Sequence, residues 1–79
     1  MRSTIQCIIY RGEKYYVAEC LDFAVVTQGK TLDAAMQNLR EAIALHLEDE
    51  KLEDLGFVKN PKVEIRVESE EFADVAQTA

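Results

Sequence analysis

From Leu32 to Leu47 the chain sets Leu32, Ala35, Met36, Leu39, Ala42, Ile43, His46 and Leu47 at spacings of three and four. That pattern lays one apolar stripe along a helix of about four to five turns. Gln37, Asn38, Arg40, Glu41, Ala44 and Glu48 occupy the other side. Thr31 stands where a helix N-cap is expected, and Asp33 places a carboxylate in the first turn, where it complements the helix dipole. A capping box would put Glu where Ala34 stands. The stripe must be buried against something, and the other apolar segments of the chain alternate with a period of two. One helix packed on one sheet is the architecture this implies.

The strands follow from the alternation. Thr4–Tyr10 places Ile5, Cys7 and Ile9 on one face and Gln6, Ile8 and Tyr10 on the other. Arg11-Gly12-Glu13-Lys14 reads as a turn around a glycine free to take positive φ, and Tyr15–Cys20 resumes the alternation. Pairing Tyr10 with Tyr15 sets Cys20, Ala18 and Tyr16 against Ile5, Cys7 and Ile9, with the two cysteines diagonal to one another. After the crossing Leu21-Asp22-Phe23-Ala24, Val25–Gln28 is a third strand ended by Gly29. Beyond the helix, Asp49–Asp54 either prolongs it or unravels, and Leu55-Gly56-Phe57 supplies a glycine stop. Asn60-Pro61 then leads into Lys62–Glu68, with Val63, Ile65 and Val67 on its dry face. The expected fold is α+β: a three-stranded antiparallel meander, one helix, then a fourth strand (β-β-β-α-β). Residues 1–68 form the single domain, and 69–79 a flexible acidic tail.

Seventy-nine residues suffice for one core of marginal stability, which favours self-association. Nine Lys plus Arg against fifteen Asp plus Glu give a net charge of −6, which disfavours direct binding to phosphate backbones. Residues 1–47 balance five acids with five bases, whereas residues 48–79 carry ten acids and four bases, the whole of the net charge. No apolar run approaches the roughly 20 residues of a membrane span, and the N-terminal residues lack a secretory leader pattern, so a cytoplasmic location is expected.

Chemistry-bearing residues are sparse. The only histidine, His46, lies on or beside the helix stripe and reads as structural. Cys7 and Cys20 read as reduced core thiols, and with His46 they are too few and too scattered for a zinc site. Glu19, Asp22, Asp33 and Glu41 are distributed over strand, loop and helix without a spacing that would make them converge on metal ions. Gly12, Gly29 and Gly56 are isolated, so no phosphate cradle opens the helix. The expectation is a protein that is not an enzyme and uses no cofactor or metal. Because one helix covers one sheet face, Ile8, Tyr10, Tyr15 and Val17 are left as an apolar set on the outer face, the kind of patch that marks an association surface. With Glu19, Asp22 and Phe23 they are the expected partner-binding residues.

Three segments, Tyr16-Val17-Ala18-Glu19-Cys20-Leu21-Asp22, Val26-Thr27-Gln28-Gly29-Lys30-Thr31-Leu32-Asp33-Ala34-Ala35 and Asn38-Leu39-Arg40-Glu41-Ala42-Ile43, together resemble the HicB family of antitoxins. The likeness runs from about Tyr10 to Leu47. Many members carry a Pro-Asp-Leu-Pro-Gly type of crossing where this chain has Leu21-Asp22-Phe23-Ala24. The resemblance implies a degraded ribonuclease-H-like fold without its catalytic acids, acting as the antitoxin of a type II toxin–antitoxin pair. The implied partner is a small, basic HicA-like mRNA interferase. Family members often continue into a DNA-binding segment, which is not expected here. The alternatives are an orphan homo-oligomer with a structural or small-ligand role and, further off, a metal-dependent nuclease. A homodimer, formed through a strand edge or the outer face, is expected from the small size and the two-faced sheet.

Overall fold

A computed structural model describes residues 1–68, so the expected acidic tail lies outside the described residues. The elements are β1 (Arg2–Arg11), β2 (Tyr16–Cys20), β3 (Val26–Gly29), α1 (Leu32–His46), a 3-10 turn (Leu52–Leu55) and β4 (Phe57–Val67). The sheet order is β3-β2-β1-β4, with β1, β2 and β3 antiparallel and β4 parallel to β1. The α+β class, the meander and the β-β-β-α-β order agree with the sequence reading. Among the described residues no helix is long and apolar enough to cross a membrane.

The hairpin register differs from the expected one. Tyr10 pairs with Val17, and Cys7 lies directly opposite Cys20 rather than diagonal to it. The cause is a tighter turn: β1 continues to Arg11, and the Gly12 N–H donates to the Tyr15 carbonyl at 2.7 Å, so the chain reverses across Glu13-Lys14. A slip of two residues keeps the paired side chains of β1 and β2 on their expected faces. Gly12 does not use positive φ; the one glycine that does is Gly56 (φ 86°), which ends the 3-10 turn. The third strand starts at Val26, one residue later than expected, with Val25 buried in the core instead.

The fourth strand begins at Phe57, not Lys62. Arg2 pairs with Phe57 and Thr4 with Lys62, so β4 carries three more residues than β1 over this stretch. Pro61 lies inside that bulge, where its missing N–H breaks no ladder bond. Phe57, read from the sequence as a mere flank of the glycine stop, is 2% exposed and closes one end of the core, with the Arg2 guanidinium 4.9 Å above its ring.

The core consists of Ile5, Cys7, Ile9, Ala18, Cys20, Val25, Ala35, Leu39, Ile43 and Phe57. The helix contributes Ala35, Leu39 and Ile43 from the expected stripe, and Thr31 caps it by accepting the Ala34 N–H at 3.0 Å. His46, at the end of the stripe, is exposed, its ring centroid 5.6 Å from that of Phe23, because the helix has by then passed the edge of the buried core. Helix and sheet meet most closely at Gly29. A Cβ there would lie 2.8 Å from the Ala34 carbonyl carbon and from Ala35 Cα, and would also run into the Ala35 nitrogen. Backbone cannot yield as a side chain tip can. Gly29→Ala should therefore lower the unfolding free energy by about 3 kcal/mol, at the upper end of overpacking costs; urea titration followed by circular dichroism measures it.

Candidate interaction surface

Alternation along each strand sorts the side chains onto two faces. On the face away from the helix, Ile8 opposes Glu19 and Tyr10 opposes Val17. Glu19 and Val17 have Val26 and Gln28 on their other side, while Arg66 lies beside Ile8 and Glu64 beside Gln6. Ile8, Tyr10, Val17 and Glu19 thus form one contiguous block, as expected, but each is half-buried. Its most open aliphatic member is Val26, 68% exposed, which the sequence reading placed in a strand without assigning it to the surface. The Tyr10 hydroxyl donates to Glu19 Oε2 at 3.3 Å. Loss of hydration at the sheet surface, then the Glu19 and Glu68 carboxylates, raise the Tyr10 phenol above its ordinary value of 10.0.

The remaining three expected residues lie elsewhere. Tyr15 lines an open cavity of about 400 Å³ with Gln28, Gly29, Lys30, Ala34 and Asn38, where β3 joins α1. Phe23 packs at the core margin, its ring centroid 5.5 Å from that of Phe57. Asp22 is engaged internally: Oδ2 accepts the Gln6 N–H at 2.8 Å, and Oδ1 pairs with the Arg2 guanidinium. Its side chain is 7% exposed, and the Leu21 N–H donates to the Gln6 carbonyl beside it. This one carboxylate ties the β2–β3 crossing to β1, a task that leaves little of it for a partner.

A second surface was only partly anticipated. The dry face of β4 was expected to be covered, yet the α1 backbone lies over β3 and β2, reaches β1 only at its margin and stays clear of the β4 backbone. Val63 and Val67 are consequently 42% and 51% exposed, with Ile65 partly buried between them. Among the described residues β4 is also an edge strand, with no strand paired along its outer side. The feature that could have revealed this is arithmetic: one helix is too narrow for four strands.

Glu19 lies on the outer face, Asp22 is tied to β1, and Asp33 sits in the first turn of the helix. Among the described residues no group of three His, Cys, Asp or Glu side chains is placed to hold a metal ion. Cys7 and Cys20 are free and buried. The ladder bonds from Leu21 to Gln6 and from Gly12 to Tyr15 put the cysteine pair at a non-hydrogen-bonded position, where facing Cα atoms sit about 4.5 Å apart. No family model, curated protein or solved structure matches the chain.

Two measurements test these assignments. Asp22→Ala leaves the Gln6 N–H without its acceptor and should cost about 1–3 kcal/mol of stability in urea titration. Burial, and then the neighbouring Cys20 and Asp22, push the Cys7 thiol from 9.0 up to about 12. The unfolded chain releases this proton first, so its contribution to stability is intact below pH 9.0 and is lost as the pH climbs towards about 12. Cys7→Ala should flatten that alkaline decline in thermal melts.

Proposed function

We propose that this chain is an antitoxin-like interaction module, similar to HicB, that binds and neutralises a small basic HicA-like mRNA interferase. One observation carries the reading: the residues that bear the HicB likeness form a single structural joint. Gly29 admits the helix backbone, Thr31 caps the helix, and the Asn38 amide donates to the Gln28 carbonyl at 2.7 Å. Leu39 and Ile43 from the same motif are buried against the sheet. The likeness thus lies in the residues that fix the frame, and the frame presents sheet faces rather than converging catalytic groups. The β-β-β-α-β order with β4 beside β1 also supports the degraded ribonuclease-H-like reading.

The toxin-facing surface is the outer block of Ile8, Tyr10, Val17 and Glu19, extended by Val26. Its apolar residues and the Glu19 carboxylate suit a basic protein, whose approach a net charge of −6 accelerates. A structural or small-ligand role is the second reading, favoured by the cavity between Tyr15 and Asn38. The two part on the neighbouring gene. Co-expression with a small basic protein encoded alongside should give a co-purifying complex and rescue growth, and Val17→Asp should weaken that complex about tenfold or more. A neighbour that is neither bound nor neutralised defeats the antitoxin reading.

A further inference from the structure

Among the described residues the outer edge of β4 is free, and it carries a sequence complementary to itself. From Lys62 to Glu68 the residues read Lys, Val, Glu, Ile, Arg, Val, Glu. We propose that β4 pairs antiparallel with β4 of a second copy about a twofold axis at Ile65, joining two four-stranded sheets into one of eight strands.

The register follows from three constraints. The first is the backbone. The Glu68 N–H donates to the Ile9 carbonyl at 2.8 Å, so the even-numbered residues of this stretch direct their backbone groups towards β1. Val63, Ile65 and Val67 therefore direct theirs to the open edge, and only pairings of odd with odd residues satisfy them. The second is charge. With Ile65 opposite its own copy, Lys62 meets Glu68 and Glu64 meets Arg66, each pair made twice, and directly opposed unlike charges stabilise a ladder. A centre at Glu64 would set Glu64 against its own copy and Lys62 against Arg66. A centre at Arg66 would set Arg66 against its own copy and Glu64 against Glu68. The third is the apolar face. The same register sets Val63 against Val67 and covers valines that are 42% and 51% exposed in the single chain. Pro61 and its bulge stop the pairing just before Lys62. Two copies are thus the occupant that this edge fits, independently of any toxin.

The test uses the full chain alone. Sedimentation should show a concentration-dependent dimer. Glu64→Arg and Arg66→Glu each place like charges opposite one another twice and should each weaken the dimer about tenfold or more, with unchanged circular dichroism. An equimolar mixture of the two variants restores unlike pairs and should form the heterodimer with affinity near that of the original chain. Amide exchange at Val63, Ile65 and Val67 should slow as protein concentration rises. A chain that is monomeric at about 100 μM overturns the proposal. So does a dimer indifferent to both charge reversals, or one in which those three amides still exchange freely. Since no toxin is present, these outcomes leave the antitoxin reading to its own experiment.

Discussion

The fold depends on the contact between the backbone of β3 at Gly29 and the first turn of α1. This close approach lets a helix of fifteen residues lay Ala35, Leu39 and Ile43 onto a sheet that contributes Ile5, Cys7, Ile9, Ala18, Cys20 and Phe57. Every larger residue in the core, from Ile5 to Phe57, then packs around small side chains at the helix–sheet interface. The Thr31 cap and the bond from Asn38 to the Gln28 carbonyl fix the angle at which the helix leaves the joint. Removing water from apolar surface supplies the driving force, but the absence of a side chain at one position decides where that burial can occur.

The same joint explains what is left uncovered. Because the helix starts directly from β3, its backbone lies over β3 and β2 and away from that of β4. Leu47 and Leu52, from the helix end and the 3-10 turn, pack against the core margin, together with Phe23 and Ile65. What remains open among the described residues is a strip of β4 that is apolar on the helix side, charged on the other, and unpaired along its edge. Among the described residues nothing covers this strip, and association with a second copy would bury it.

Much of this was legible in the sequence, and the missed parts share a cause. The helix, its cap, the meander and the facial sorting of β1 and β2 follow from local periodicity, which the tertiary structure did not override. The hairpin register slipped by two because turn length, not facial pattern, sets it, and both registers give the same apolar face. Phe57 was missed because its partner, Arg2, lies at the far end of the chain, and a parallel pairing leaves no trace in local spacing. Asp22 and Phe23 looked available to a partner because loop residues usually are; hydrogen bonding to the Gln6 N–H and packing on Phe57 are long-range facts. The outer block around Tyr10 was legible, since alternation alone puts it there, but its half-burial comes from cross-strand neighbours that only the register reveals.

Edge pairing and partner binding make different demands on the charges, and the proposed dimer meets both. In it, each Lys62 faces a Glu68 and each Glu64 an Arg66, so the interface takes up as many positive as negative groups. The acidic excess is therefore not consumed by association. It doubles from −6 for one chain to −12 for two, on a particle only twice the size. The outer blocks around Tyr10 and Val17 lie on the same side of the continuous sheet, away from both helices. In the proposed dimer the two blocks stand three strand spacings of about 4.8 Å apart, beyond the Debye length of about 8 Å at physiological salt, so each would attract a basic partner through the charge of its own chain. In this proposal dimerisation and recognition would occupy different parts of one sheet, the edge for a second copy and the face for a different protein.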